Sequence, residues 1–160
     1  MIPGSGNSQE ADYLLSLGFT NLTVINIAPT LLKIHQEKLK NNSNIKIVLG
    51  DFFKHQGEYD LILEQTFFCA RPSIMREKYV LKMYCLLPEK VLLAELLFNK
   101  TFECGPPFGG NLNEYEKLFK KHFIVLTVNL CLNSIKPRSN SELFVEFVKK
   151  YYSKFNVGLN

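Results

Sequence analysis

Near its start the chain runs Gly4-Ser5-Gly6, a turn that lets backbone approach a ligand closely, because glycine takes left-handed conformations and carries no Cβ. Ile2-Pro3 precede it, and Asn7-Ser8 lead into a helical pattern. The free N–H groups of a helix start therefore stand just behind the turn, and they favour a carboxylate or phosphate. A second group, Gly50-Asp51-Phe52-Phe53, sets a carboxylate beside aromatic surface. An ionised carboxylate only accepts hydrogen bonds, and an aromatic ring offers a flat stacking face. The four cysteines, Cys69, Cys85, Cys104 and Cys131, are scattered without a CxxC pair, which argues against zinc and against a disulfide framework. Reduced thiols in the cytoplasm are the simpler reading. No spacing defines a general base. Glu64 and His122 are conceivable, Cys69 reads as buried filler, and no catalytic residue is assigned.

Two cofactor classes use a turn of this kind. A dinucleotide wants GxGxxG, and the third glycine position here is Gln9, which weakens the oxidoreductase reading. S-adenosylmethionine has no pyrophosphate and needs only the close approach.

Alternating elements must hold these residues. The pattern predicts a helix over 9–17 with Ser8 as its cap, a strand over 22–27, and a helix from Pro29 to about residue 40. Strands follow over 45–49 and 59–64. A helix runs from Pro72 or Ser73 to about 87, with Met75, Tyr79, Met83 and Leu86 at helical spacing, and Pro88 ends it. A strand over 91–98, a Gly/Pro-rich loop over 101–110, a helix over 111–121 and strands over 123–131 and 142–148 complete the order. Such alternation argues an α/β, Rossmann-like, doubly wound and mostly parallel sheet, and the last two strands suggest an antiparallel C-terminal hairpin. Ligands of such sheets bind outside the carboxyl ends of the strands, where strand order reverses.

Hydrophobic content of 46% and charged content of 21% are those of an ordinary globular domain. The net charge of +4 is spread over scattered lysines, too diffuse for a nucleic-acid surface. No apolar run reaches the roughly 20 residues of a spanning helix, and the start lacks the features of a signal peptide. The expectation is a cytoplasmic monomer without nucleic-acid or membrane partners.

Four blocks in this order, Ile2-Pro3-Gly4-Ser5-Gly6-Asn7-Ser8, Gly50-Asp51-Phe52-Phe53, Glu64-Gln65-Thr66-Phe67-Phe68-Cys69-Ala70 and Gly105-Pro106-Pro107-Phe108, resemble the thiopurine S-methyltransferase-like family. That family belongs to the class I S-adenosylmethionine-dependent methyltransferases and includes thiol and halide methyltransferases. The likeness runs from residue 1 to about residue 149. It implies that Gly4, Ser5 and Gly6 hold the methionine part of S-adenosylmethionine. Asn26, with Ile27 beside it, stands where an acidic residue accepts from the ribose hydroxyls. Asp51 would accept from the adenine amino group, with Phe52 packing on the ring. Glu64 and Gln65 would line the pocket near the sulfonium, and Gly105, Pro106, Pro107 and Phe108 would wall the acceptor pocket. The implied activity is methyl transfer to a small thiol or related soft nucleophile, and no metal is implied. Phe53 reads as core.

Two departures set further expectations. Family members carry a tryptophan-containing segment before the glycine turn, whereas this chain has no tryptophan and keeps only Met1 and Ile2 of the first strand. The expectation is one N-terminally truncated domain over 1–160, with a tail over 150–160 and the first strand largely missing. Unpaired groups on the neighbouring strands would cost roughly 1–3 kcal/mol each. Asn26 replaces the acid, and an amide still accepts from one hydroxyl without charge assistance. The alternative reading is therefore a truncated, catalytically weak or silent relative acting as a folded binding module.

Overall fold

A computed structural model describes residues 1–4, 6–39 and 42–151. Its elements are β1 (Ile2–Pro3), α1 (Gln9–Ser16), β2 (Leu22–Asn26), α2 (Pro29–Leu39), β3 (Ile45–Leu49), β4 (Leu61–Gln65), α3 (Arg76–Leu86), β5 (Leu92–Phe98), α4 (Leu112–Phe119), β6 (Phe123–Leu130) and β7 (Glu142–Lys149). A 3-10 turn, Ser73–Met75, leads into α3. Most elements fall where periodicity places them. Ser8 stands at the start of α1 but in the left-handed region, with φ 56°, not in the extended backbone that a side-chain cap uses. Of the tail expected over 150–160, residues 152–160 lie outside the described residues.

Parallel strands β1-β2-β3 form one ladder, and β4-β5-β7-β6 form the other. Met1 joins them. Its nitrogen donates to the Leu61 carbonyl at 2.7 Å, and its carbonyl accepts from Leu63 N–H at 3.0 Å. The full order is thus β3-β2-β1-β4-β5-β7-β6. The short first strand is central and bonded on both sides, with Ile2 opposite Val24 and Pro3 opposite Ile25. In the C-terminal hairpin the last strand is the inner one, because β7 pairs antiparallel with both β5 and β6. Its composition suits that place. Leu143, Val145 and Phe147 are buried, whereas edge strand β6 leaves Ile124, Leu126 and Leu130 exposed.

The α3 and α4 side of the sheet carries the main core. Ile62, Leu93, Phe123 and Phe147 meet Tyr79, Met83, Tyr115 and Phe119 there, and Phe119 stacks on Phe147 with centroids 4.1 Å apart. On the opposite face α1 packs Ala11 and Leu14 against Ile2, Val24 and Leu63. Helices on both faces of a mostly parallel sheet make this a Rossmann-like fold. Among the described residues no helix is long and apolar enough to cross a membrane.

Candidate functional site

Strand β1 ends in Gly4, whose N–H donates to the Ile25 carbonyl at 2.9 Å. Gly4 and Gly6 both lie in the left-handed region, at φ 62° and 47°; Ser5 lies outside the described residues. The two glycines serve different needs. A Cβ on Gly4 would stand 2.0 Å from Phe67 Cδ2, so the bare backbone is what lets the Phe67 ring close over it. A Cβ on Gly6 would meet only the Gly4 carbonyl, at 3.9 Å. Gly6 therefore leaves room on its open side, and that side borders a cavity of about 420 Å³.

The cavity lies at the carboxyl ends of β1 and β4. Its walls include Gly4, Gly6, Gln65 and Thr66, and across from them the β6–β7 loop with Arg138 and Glu142. Gln65 borders this cavity. Thr66 turns the chain at the end of β4 in a left-handed conformation, φ 66°. Glu142 is 2% exposed, and Arg138 Nη1 donates to its Oε1 at 3.2 Å. By composition 133–140 is a polar turn between two strands. The sequence signal for more than a turn there is the opposite charge at Arg138 and Glu142, four residues apart.

On the other side of Gly4 lies a narrow cleft of about 40 Å³, between the ends of β2 and β3 and the turn after β4. Asn26, Ile27, Asp51, Phe52 and Arg71 border it. Asn26 Oδ1 accepts from Ala28 N–H at 3.0 Å, so this oxygen is already engaged and the amide presents N–H donors as well. Asp51 Oδ1 accepts from Phe53 N–H at 2.8 Å, which leaves the other carboxylate oxygen for a ligand. Phe52 is buried and meets Phe67 edge-on at 5.1 Å, so it is cleft wall and core at once. Ile27 is 63% exposed and forms the rim. Arg71 was not foreseen. Its guanidinium lies 4.3 Å from the centre of the Phe67 ring.

Glu64 does not face the cavity with its carboxyl group. Strand alternation turns it to the α3 side, where Oε1 accepts from the Phe67 and Phe68 N–H groups. It stands in register with Glu95 on β5, and Glu95 accepts from the Tyr79 hydroxyl. Oε2 of both glutamates is buried without a hydrogen-bond partner. Burial pushes the Glu64 carboxyl up to about 8, against the two backbone donors and the Tyr79 hydroxyl. Burial first, and the charge of Glu64 second, push Glu95 well above the carboxylate range. Glu64 is therefore a holder of the turn that carries Thr66 and Phe67, and of the two neighbours only Gln65 borders the larger cavity.

The 105–108 loop also lies elsewhere. Phe108 N–H donates to the Cys69 carbonyl at 2.6 Å, and Arg76 Nη2 donates to the Phe108 and Gly109 carbonyls at 3.1 and 2.7 Å. These bonds tie the loop to α3, and Gly105, Pro106, Pro107 and Phe108 are not among the residues bordering either hollow. The loop that borders the larger cavity is the one between β6 and β7. Neither conceivable base faces the cavity: His122 packs against Tyr84, 5.3 Å between ring centres. Cys69 is fully buried, and burial pushes its thiol up to about 12.

The family model for thiopurine S-methyltransferase matches residues 2–152. Among curated proteins, thiopurine S-methyltransferase of Vibrio parahaemolyticus is 30% identical over 132 residues, covering 80% of this chain and 57% of the relative. The Vibrio campbellii protein of that name is 28% identical over the same shares. The chain thus spans a little over half the length of the curated relatives it matches. Among solved structures, TehB from Haemophilus influenzae superposes with a TM-score of 0.73 at 19% identity, over 93% of this chain and 57% of that one. The N-methyltransferase NodS from Bradyrhizobium japonicum, in complex with S-adenosyl-L-homocysteine, superposes with a TM-score of 0.74 at 13% identity, over 94% and 76%. At these identities the structures speak for the fold.

Proposed function

Since the chain belongs to the thiopurine S-methyltransferase family, we propose that it binds S-adenosylmethionine and serves methyl transfer to a small thiol or a related soft nucleophile. One observation carries the reading. The left-handed Gly4–Gly6 turn separates a narrow aromatic cleft holding Asp51 from a wide polar cavity, which is the division a nucleoside joined to a reactive chain and an acceptor requires. The residues fit the cofactor at three points. Gly6 leaves open space where a Cβ would intrude, Asp51 keeps one acceptor oxygen, and Phe52 and Phe67 offer aromatic surface.

Bound there, the sulfonium would supply an activated methyl group, so the protein's task is placement. The Gly4–Gly6 backbone and Gln65 would hold the amino-acid end. Asp51 would take the purine amine, and Asn26 would donate to the ribose from its N–H groups. Arg138 and Glu142 face the acceptor across the cavity. Arg138 would hold the anionic form of a thiol, whose thiolate is the better nucleophile. Cysteines that stand unpaired accord with a cytoplasmic enzyme, which we take to be a monomer acting on a free small molecule. Titration calorimetry with S-adenosylhomocysteine tests the reading. Saturable heat is expected, and no heat up to about 1 mM ligand, a free energy near −4 kcal/mol, would end it.

Asn26 favours a second reading, a catalytically silent relative acting as a binding module, because it stands where the family has an acid and offers the ribose no charged acceptor. The two readings part if the cofactor binds but no methyl passes to a panel of thiols and related soft nucleophiles.

A further inference from the structure

Arg71 borders the narrow cleft together with Asp51, Asn26 and Gly4. Its guanidinium packs over Phe67, a ring that is itself cleft wall. Nε of Arg71 is buried without a hydrogen-bond partner, although the residue as a whole is only part-buried. Asp51 is near enough to act on it by charge. The cleft holds about 40 Å³, little more than the roughly 30 Å³ share of one water molecule. A purine therefore enters only if a wall gives way. Phe52 and Phe67 are fixed in the core, whereas Arg71 is a long side chain held over a ring face by a contact of modest strength. It is the wall that can move.

We infer that Arg71 is a purine-recognition residue, lifting from Phe67 to admit the ring and then donating to the acceptor nitrogen N7 beside the amine that Asp51 accepts. The inference rests on the cofactor reading above and adds to it a donor–acceptor pair. A carboxylate acceptor and a guanidinium donor side by side match the amine and ring nitrogen on one edge of adenine. A guanidinium also tolerates close contact with aromatic faces, which a lysine ammonium does less well. Among the described residues, no other one bordering this cleft carries a positive charge.

The test compares S-adenosylhomocysteine with its 7-deaza analogue, which lacks the N7 acceptor, by calorimetry on the wild-type chain, Arg71→Leu and Arg71→Lys. A hydrogen bond to a charged group corresponds to about ten-fold or more in affinity. The wild-type chain should bind the natural ligand at least about ten-fold more tightly than the analogue, and Arg71→Leu should bind both alike. Arg71→Lys should keep part of the preference, and it serves alone if the leucine variant does not fold. A purely structural Arg71 would shift both ligands equally and leave their ratio unchanged, which overturns the inference. So does a wild-type chain that does not distinguish the two. If wild-type protein binds neither, the cofactor reading itself has failed.

Discussion

The two hollows that meet at Gly4 are built on opposite terms. The cleft is narrow, walled by aromatic rings fixed in the core, and its polar groups come from the ends of neighbouring parallel strands. The cavity is ten times larger, polar, and part of its wall is a hairpin loop from the far end of the chain. A strand end is held by ladder hydrogen bonds on both sides, whereas a loop is held by its own few contacts. The cleft is thus suited to a constant part of a ligand, and the cavity to the part that varies.

The wall common to both hollows is the place to break this contrast hardest. Gly4→Ala would drive a Cβ into Phe67 and strain a left-handed backbone, costing about 2–4 kcal/mol from overpacking and strain together. Urea unfolding measures it, and a loss under about 1 kcal/mol would mean that Phe67 is free to move aside. The same wall depends on Glu64, which holds the Phe67 and Phe68 amides. Burial holds its folded pKa at about 8, above the ordinary carboxylate value of 4.5. The folded state therefore binds the proton more tightly, and this contribution to stability is full below about pH 4.5 and lost as pH rises to about 8. Urea midpoints should fall between pH 6 and pH 8.5, and Glu64→Gln should flatten the fall. An equally steep profile in the variant would assign the titration to another group.

On the cavity side alone, Arg138→Leu should lower methyl transfer about ten-fold while S-adenosylhomocysteine binding stays within about two-fold, since a lost charged hydrogen bond is of that size. Equal losses in both would erase the division between the hollows. The smallest effect is expected at the cleft rim. Asn26→Asp would keep the bond from Ala28 N–H and add a charged acceptor for ribose, raising cofactor affinity by about three- to ten-fold. Unchanged affinity would show that the ribose does not reach residue 26.

Most of the fold was legible because its signals are local. The β-branched run over 22–27 and the helical spacing of Tyr79, Met83 and Leu86 each report on a single element. So does Gly50-Asp51, where a strand must stop. What escaped depends on neighbours far away in the chain. Nothing near residue 142 says that β7 inserts between β5 and β6, because pairing partners are chosen by the whole sheet. Glu64 was placed by its position at a strand end, but a one-residue difference in side-chain direction sends Gln65 to the cavity and Glu64 to the core. The 105–108 loop was assigned by its composition. Its place is set by Arg76 and Cys69, about thirty to forty residues earlier.

Met1 has a mechanical consequence. Its two hydrogen bonds are the backbone join between one half-sheet and the other, so the molecule has a seam, and both hollows open along it. A ligand that grips Asp51 on one bank and Gln65 on the other acts as a staple across that seam. Its binding energy is added to the cohesion of the two halves by mass action. Amide exchange along β4 should then slow together with that along β2 when the ligand is present, although no ligand atom touches most of either strand.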